Sequence, residues 1–444
     1  MKGERIAVYG MGRSGVSAAK ALVQAGAEPV VFDDAPAEKL REALAQLEQH
    51  QIASEPGYRG SFNGFTTLVT SPGVPMRHPR LIAAGEAGVE VIGEVELAYR
   101  LSAAPIIGIT GTNGKSTTTV MTYLCLLAAA EEAVLCGNVF GSGYDEVPLT
   151  EAASAATPEQ VLVAEISSFQ LEWVRDFRPV CAAITNITPD HLNRYRDFDE
   201  YAAIKHRIFA AQLPGDTAVI KANDPAITAP AGPTVKTFGS SGEHAFVVGN
   251  DLIIGDHSVP VSQLPFAGVH NYLNAMAAGL LAASFLRGAK EDLTYILDGL
   301  QSFKGLEHRM EYVGEAEGVT FINNSMCTNP DAVLKSCMSI GQRMHILMGG
   351  ENKDLDFSPI RPLFDGTRNR GYAFGSAAKL MAETLGLAVE PCETLQQAFD
   401  CAMRFVERGD VVILAPGCAS TDQFRDFRHR GDVFRALAKE WIQG

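Results

Sequence analysis

Residues 105–119 read PIIGITGTNGKSTTT, and this stretch is the main evidence in the sequence for the fold. An apolar strand runs into a glycine-rich turn, and a helical pattern follows. In such a turn backbone N–H groups surround phosphate oxygens, a lysine neutralises the outer phosphates and a hydroxyl ligates Mg²⁺. The spacing departs from the strict GxxxxGK[ST] pattern because residue 109 is Ile. Lys115 and Ser116 still follow the last glycine directly, so we predict a loop that binds the phosphates of ATP.

A second glycine-rich turn lies near the start of the chain. Residues 5–9 form an apolar strand, Gly10-Met-Gly12-Arg-Ser-Gly15 follows, and Asp33 lies about 20 residues further on. Glycines at these positions permit a tight turn and close approach of a diphosphate to the start of a helix. The pattern is typical of NAD sites, but the same turn serves any nucleotide diphosphate, and a glycine turn without a ligand stays an alternative.

Polar residues follow three further apolar runs in the middle of the chain. Asn138, Glu165 and the segment 186–191 stand where such strands end, which is where open parallel sheets bind ligands. A carboxylate there is costly unless it is paired or bound to a metal, so Glu165 is a candidate Mg²⁺ ligand, with a capping or salt-bridged glutamate as the alternative. His191 is a candidate site residue only because it follows the next strand. Lys205 taken alone is expected to be a solvated lysine.

Apolar runs alternate with helical patterns to the end of the chain. Strands are expected at 67–70, 319–322, 345–348, 371–374 and 411–414, and helices at 201–212, 331–339 and 395–407. Such alternation indicates a parallel, doubly wound sheet. We therefore predict an α/β protein of three domains, which comprise residues 1–100, 101–304 and 305–444.

Composition excludes several classes of function. The 444 residues include 37 Lys and Arg against 52 Asp and Glu, a formal charge of −15, and no basic block that would bind nucleic acid. The most apolar stretch, 120–130, is about half the length that spans a bilayer, and we see no signal peptide. None of the eight cysteines forms a CxxC pair. We expect a soluble, cytoplasmic protein.

A diphosphate turn and an ATP loop in one chain are typical of an ATP-driven enzyme that acts on a nucleotide-linked substrate. Over essentially the whole length the motifs resemble the Mur ligases, which add amino acids to peptidoglycan precursors. The resembling segments are GMGRSG (10–15), TSPG (70–73), GITGTNGKSTTT (108–119), EISSFQLE (165–172), NITPDHLNRY (186–195), YAAIK (201–205), GVHNYLN (268–274), LEHRME (306–311), GGENK (349–353) and CASTDQF (418–424).

The resemblance implies a Rossmann-like UDP-binding domain, a central P-loop ATPase domain with a mainly parallel sheet, and a C-terminal Rossmann-like domain. It also implies roles for single residues. The nucleotide sugar is expected at Ser14, Gly15, Asp33, Asp34, Ser71, Gly73, Asn138 and His191. ATP is expected at Gly111, Thr112, Asn113, Gly114, Lys115, Ser116, Thr117, Asn271, Asn274, Arg309 and Asn324. The amino acid is expected at Thr328, Lys353, Ser420 and Phe427. Magnesium is expected at Ser116, Glu165, His191 and a carbamylated Lys205.

One segment departs from the family pattern. Mur ligases of this kind usually read NDSKATN where residues 323–329 read NNSMCTN. Asn324 replaces a carboxylate expected on the ATP ribose, and its amide can still hydrogen-bond a hydroxyl. Met326 replaces a lysine and cannot supply a charge. Asn193 stands where an aspartate is common.

The reaction that the resemblance implies joins D-glutamate to UDP-N-acetylmuramoyl-L-alanine in a monomeric enzyme, through an acyl phosphate, with release of ADP and phosphate. Alternatives are a relative that adds another amino acid, a folylpolyglutamate synthetase, a nicotinamide-dependent oxidoreductase with an incidental phosphate loop, and a non-catalytic homologue that only binds UDP-sugar and ATP. The uridine-type first domain counts against the folate enzyme.

Overall fold

The computed structural model describes residues 2–191, 194–239, 244–286, 294–338, 340–352 and 355–444. The chain divides into two compact units. One comprises Met1–Phe140 and Tyr144–Lys304, and the other comprises Gly141–Gly143 and Gly305–Gly444. The first unit holds two sheets and the second holds one, and the expected domain boundaries at residues 100 and 304 stay predictions.

The first sheet has five parallel strands in the order β3-β2-β1-β4-β5. The order reverses between β1 and β4, and ligands bind at such reversal points in parallel sheets. The predicted diphosphate turn follows β1 and therefore lies at this place. The elements are β1 Arg5–Tyr9, α1 Arg13–Gln24, β2 Glu28–Asp33, α2 Arg41–Gln49, β3 Ala53–Pro56, β4 Thr67–Thr70, α3 Pro79–Glu86, β5 Glu90–Gly93 and α4 Glu94–Leu101.

The second sheet has ten strands in the order β15-β14-β13-β12-β11-β10-β6-β9-β7-β8. Strands β6 to β12 pair in parallel, and their apolar residues are buried on both faces, as parallel sheets require. The elements are β6 Ile106–Thr110, α5 Lys115–Ala128, β7 Glu132–Gly137, β8 Glu146–Val147, α6 Leu149–Ala155, β9 Gln160–Glu165, α7 Ser168–Leu171, β10 Cys181–Ile184, α8 Phe198–His206, β11 Thr217–Lys221, β12 Thr234–Phe238, β13 Ala245–Val248, β14 Asp251–Ile254, β15 His257–Pro260, α9 Val269–Leu286 and α10 Thr294–Gln301.

The third sheet has six strands in the order β16-β17-β21-β18-β19-β20. The edge strand β16 pairs antiparallel with β17, and all other pairs are parallel. The elements are β16 Glu311–Ala316, β17 Val319–Asn323, α11 Pro330–Cys337, β18 Met344–Gly349, β19 Arg370–Phe374, α12 Ala378–Leu385, β20 Val389–Pro391, α13 Leu395–Met403, β21 Val411–Leu414 and α14 Phe427–Gln443.

A buried carboxylate joins the first two sheets. Glu96, on α4, is fully buried and accepts the backbone N–H groups of Arg175, Asp176 and Phe177 at 2.8–3.0 Å. It also accepts from Arg100 Nε at 2.9 Å. A charged acceptor with four donors offsets the cost of its own burial, so Glu96 fixes α4 against the segment that leads into β10.

Of the helices in the described ranges, none is long and apolar enough to cross a membrane.

Candidate active site

Two glycines allow the backbone conformation of the phosphate loop between β6 and α5. Gly111 has φ of 149°, and a Cβ there would lie 1.9 Å from Thr185 Oγ1. Gly114 has φ of 82°, and a Cβ there would lie 2.3 Å from Asn274 Oδ1. Any other residue at these two positions would clash and strain the backbone. Lys115 begins α5 directly after Gly114, so the loop opens at a helix N-terminus, where anions bind.

The phosphate loop is held by the segment that follows β10. Thr112 N donates to Asn186 O at 2.9 Å, and Asn113 N donates to Asn186 Oδ1 at 3.0 Å. Thr112 Oγ1 lies 3.1 Å from Thr188 O and 3.0 Å from the Tyr201 hydroxyl. Lys115 Nζ donates to Thr112 O at 3.0 Å. The loop is therefore fixed in shape before any ligand arrives, which lowers the entropy cost of binding.

Glu165 lies beside the phosphate loop at the end of β9. It is 2% exposed and accepts from Ser116 Oγ at 2.5 Å and from Asn138 Nδ2 at 2.8 Å. Strands β6, β9 and β7 are neighbours in the sheet, so their ends bring Ser116, Glu165 and Asn138 together. The partners of Glu165 are thus a hydroxyl and an amide, and its role as a Mg²⁺ ligand stays a prediction.

Hydroxyl and carboxylate oxygens at this place fit Mg²⁺, which takes one or two protein oxygens together with phosphates and water. Within the described ranges no three His, Cys, Asp or Glu side chains converge to hold a metal without such help. The donor set therefore suits a magnesium ion that arrives with ATP.

Lys205 is buried beneath the phosphate loop, and the expectation of a solvated lysine is wrong. Its side chain is 1% exposed, and Nζ donates to Gly111 O at 2.7 Å and lies 4.8 Å from the centre of the Tyr201 ring. Burial, followed by the charge of Lys115, holds the pKa of Lys205 well below its ordinary value. The lowered pKa favours the neutral amine, which is the form that reacts with CO₂ to give the expected carbamate.

His191 lies close enough to Lys115 and Lys205 to interact with them electrostatically. Its φ is 54°, its ring centre is 4.8 Å from that of Phe169, and Nε2 is 3.7 Å from Asp190 Oδ2. Burial lowers the pKa of His191 and the charges of Lys115 and Lys205 act in the same direction, against the raising effect of Asp190. The neutral imidazole that results is the form that binds a metal.

Two of the residues expected to bind ATP, Asn271 and Asn274, lie in the first two turns of α9. Asn274 is buried, and its Oδ1 accepts from Thr118 Oγ1 at 3.4 Å and lies against Gly114. Asn271 donates to Ala267 O at 2.9 Å. Thr117 lies half-buried in the first turn of α5. Asn274 therefore belongs to the phosphate loop's support, and Asn271 lies one turn away from it.

The diphosphate turn after β1 is as tight as its glycines suggest. A Cβ on Gly15 would lie 1.8 Å from Gly10 O, and Ser71 Oγ donates to that same carbonyl at 3.1 Å. Ser14 hydrogen-bonds the buried carboxyl of Glu94. A Cβ on Gly73 would meet no atom within 4 Å, so this position faces open space.

The two aspartates after β2 have different partners. Asp33 accepts from Met11 N at 2.7 Å and from Ala35 N at 2.8 Å, so it shapes the turn itself. Asp34 accepts from the Tyr9 hydroxyl at 2.9 Å and from Arg80 Nη1 at 2.6 Å. Burial raises the pKa of Asp34, but the hydrogen bonds from Tyr9 and Arg80 outweigh it and leave the pKa below its ordinary value. Asp34 is thus a carboxylate at neutral pH.

The second unit holds the remaining predicted residues. Arg309 donates from Nη2 to the Met326 sulfur at 3.1 Å. Asn324 is 4% exposed, accepts from Met310 N at 3.2 Å and donates to Ser336 Oγ at 3.0 Å. Asn324 therefore uses one acceptor and one donor of its amide within the unit.

The residues expected to bind the amino acid follow the strands of the third sheet. Thr328 is exposed after β17, Ser420 is buried after β21, and Phe427 is half-buried at the start of α14. Lys353 lies outside the described residues, as does Asn193.

Two residues near these sites were not identified from the sequence. Tyr201 lies four residues before Lys205 on α8, and this helical spacing places them on one face. Arg430 lies in the basic segment 425–430, where sequence shows charge but not burial. The (i, i+4) spacing could have identified Tyr201, whereas no local signal separates Arg430 from its exposed neighbours.

Comparisons with known proteins give the same family for each part of the chain. The family model of the Mur ligase MurD-like N-terminal domain matches residues 4–93, the Mur ligase middle domain matches 109–282, and the Mur ligase glutamate ligase domain matches 308–418. Two relatives named UDP-N-acetylmuramoylalanine–D-glutamate ligase come from Anaeromyxobacter dehalogenans and Koribacter versatilis. The first is 39% identical over 99% of this chain and 98% of its own, and the second is 35% identical over 100% and 99%.

Solved structures show the same fold. MurC from Thermotoga maritima superposes with a TM-score of 0.60 at 17% identity, covering 98% of this chain and 99% of its own. MurF ligase from Thermotoga maritima in complex with ADP gives a TM-score of 0.59 at 15% identity, covering 93% and 95%. The predicted three-domain α/β fold is confirmed, and with three matching domain models and full-length relatives above 30% identity the chain belongs to the Mur ligase family.

Proposed function

We propose that this chain is the ligase that adds D-glutamate to UDP-N-acetylmuramoyl-L-alanine, at the expense of ATP, in the synthesis of peptidoglycan precursors. The observation that carries the specificity is the 35–39% identity over the full length to relatives named for that reaction. The MurD-like first domain favours this reaction over that of a folylpolyglutamate synthetase or a nicotinamide-dependent oxidoreductase. Cytoplasmic location and a monomeric state stay predictions.

The first step uses the residues around the phosphate loop. The carboxylate of the UDP-sugar substrate attacks the γ-phosphate of ATP in line, which breaks the bond to ADP and forms an acyl phosphate. Lys115 and the N–H groups at the start of α5 hold the phosphates. When bound, Mg²⁺ would be held by Ser116 and Glu165, with His191 and carbamylated Lys205 at a second position, and would neutralise phosphate charge.

The second step forms the amide. The amine of D-glutamate attacks the acyl carbon, the C–O bond to phosphate breaks, and the proton that the amine loses passes to water. A carboxylate is a poor acyl donor, and phosphorylation supplies the leaving group. In the second unit Thr328, Ser420 and Phe427 are the described residues proposed to hold D-glutamate. Arg309 is proposed to reach the γ-phosphate and Asn324 the ribose.

The test is phosphate release from Mg·ATP with UDP-N-acetylmuramoyl-L-alanine, with D-glutamate, L-glutamate or other amino acids as the acceptor. Release that needs both the UDP-sugar and D-glutamate supports the proposal. Lys115→Met should abolish it, whereas Lys379→Met, at a side chain 88% exposed on α12, should leave it unchanged. Release with another amino acid would overturn the specificity.

Met326 gives one specific reason to test a non-catalytic homologue, because it removes a cation from the site. A non-catalytic homologue would bind the UDP-sugar and release no phosphate with any acceptor.

A further inference from the structure

Arg430, on α14, is a buried cation with no assigned role. Its side chain is fully buried, and no carboxylate of the described residues lies within 4 Å of its nitrogens. Burial lowers the pKa of Arg430 to about 10 and outweighs the raising effects of Cys418, Asp422 and Cys327. Buried charges are ordinarily paired, and one that is solvated only by neutral oxygens is costly. A guanidinium in such a place needs a reason beyond packing.

The guanidinium is hydrogen-bonded to oxygens at the carboxyl ends of three neighbouring strands. Nε donates to Ser325 Oγ at 3.1 Å and Nη2 donates to Ser325 O at 2.9 Å, just after β17. Nη1 lies 3.3 Å from Gly349 O at the end of β18, and 3.1–3.2 Å from Cys418 O and Ala419 O after β21. These strands are adjacent in the order β17-β21-β18. One side chain therefore fixes three loops at the ligand-binding edge of the sheet.

The same network reaches the residues proposed to hold D-glutamate. Ser325 Oγ donates to Phe427 O at 2.7 Å, so the hydroxyl that Arg430 bonds also fixes the start of α14. Ala419 directly precedes Ser420, and Ser325 lies three residues before Thr328. Thr328, Ser420 and Phe427 thus lie on three segments that meet at a single guanidinium.

We infer that Arg430 is the positioning residue of the amino-acid subsite, because its planar fork holds the loops after β17 and β21 and the start of α14 in one geometry. The inference rests on the proposed function. Arg430 uses its donors within the protein, so the role assigned to it is positioning and not catalysis. A lysine keeps the charge but has no fork, so Arg430→Lys separates geometry from charge.

Arg435, one turn further along α14, is the matched control. It is 20% exposed and pairs with Glu311 at 2.7 Å and with Asp432 at 2.9 Å, and it holds the helix to β16. Among the described residues Arg435 donates to Glu311 and Asp432, so Arg435→Lys should weaken the attachment of α14 to β16 and break no bond that the loops after β17, β18 and β21 make directly.

The experiment compares Arg430→Lys and Arg435→Lys with the unchanged chain in Mg·ATP, UDP-N-acetylmuramoyl-L-alanine and D-glutamate. We expect Arg430→Lys to raise KM for D-glutamate about tenfold or more and to leave KM for ATP and the UDP-sugar within about twofold. Arg435→Lys should lower Tm and leave all three KM values unchanged. If Arg430→Lys lowers Tm without a selective change in KM for D-glutamate, the inference is overturned.

Ser325→Ala covers the case in which Arg430→Lys fails to fold, because it removes only the hydroxyl between Arg430 and Phe427. We expect it to raise KM for D-glutamate about threefold, and unchanged KM would count against the inference.

Hydrogen–deuterium exchange separates this inference from the proposed function. In the free proteins, Arg430→Lys or Ser325→Ala should speed exchange in peptides covering 324–328 and 417–424, and Arg435→Lys should not. If another amino acid proves to be the acceptor, its KM takes the place of that for D-glutamate. If no acceptor supports phosphate release, the proposed function fails, and equal exchange in all variants would still overturn the role of Arg430.

Discussion

Lys205 shows how far the environment of one residue can depart from what its place in the sequence suggests. Nothing around it in YAAIKH indicates burial, and the helix that carries it has mixed polarity. Its depth follows from the phosphate loop, which lies almost 100 residues earlier in the chain and supplies the Gly111 carbonyl that Nζ contacts. Residues of this kind cannot be found from local pattern, because the partner is set by the sheet order.

The lowered pKa of Lys205 makes stability depend on pH. Between the folded and the unfolded pKa the unfolded chain binds more protons, so the free energy of unfolding rises with pH through that interval. In CO₂-free buffer we expect Lys205→Met to have a higher free energy of unfolding than the unchanged chain at low pH. The difference between the two free energies should become smaller towards pH ~10. Urea unfolding at several pH values measures this. A gap that is constant with pH would contradict it.

The thioether of Met326 lies 3.1 Å from Arg309 Nη2. Met326→Lys would place two cations side by side, and we expect the free energy of unfolding to fall by about 1 kcal/mol at low salt. Because salt screens like charges, the loss should shrink at about 1 M NaCl. Met326→Leu, without charge, should show no salt-dependent change. The expectation fails if both variants respond equally to salt in urea unfolding.

At the scale of elements, most of the parallel sheets could be predicted. The expected strands at 67–70 and 411–414 are observed as Thr67–Thr70 and Val411–Leu414, because short apolar runs after turn residues leave little choice of limits. The helix expected at 201–212 instead begins at Phe198, where Asp197 caps it, and ends at His206. A 3₁₀ turn then continues to Phe209.

The antiparallel strands β13–β15 were not predicted. They are four residues each, and their burial alternates weakly, so no periodicity stands out. The candidate site was predictable where its residues follow one another in the phosphate loop. It was not predictable where the acceptor or donor comes from a distant strand end, as for Arg430.

Glu96 gives a prediction about the joint between the first two sheets. Glu96→Ala leaves the N–H groups of Arg175, Asp176 and Phe177 and Arg100 Nε without their buried acceptor, and we expect a loss of about 3 kcal/mol in the free energy of unfolding. Glu90→Ala is the control. Its side chain is 33% exposed and pairs with Arg100 and Arg175, so its loss should stay below about 1 kcal/mol.

The measurement follows tryptophan fluorescence during urea unfolding. The chain has two tryptophans, Trp173 in the first unit and Trp441 in the second. A Trp441→Phe background therefore reports on the unit that contains Glu96. Equal losses for Glu96→Ala and Glu90→Ala would show that the buried hydrogen bonds add nothing.

At the scale of the whole molecule, the two glycine turns predict which nucleotides stabilise it. We expect the Tm to rise with UDP-N-acetylmuramoyl-L-alanine and with Mg·ADP, since a ligand at about 100 times its Kd adds about 2.7 kcal/mol. NAD should give no shift. Lys115→Met should lose the response to Mg·ADP and keep that to the UDP-sugar. A shift with NAD alone would favour a nicotinamide-dependent oxidoreductase.

The Glu96 joint has a consequence for how the protein can be cut into pieces. A fragment that ends near residue 100 would keep the carboxylate and lose the three amides that neutralise its burial, leaving an unsatisfied anion on a newly bared apolar surface. Such a fragment is a poor starting point for crystallography or for screening small molecules against the nucleotide-sugar turn. A truncation at Lys304 keeps both sheets and the joint between them, and is the shorter form that we would express.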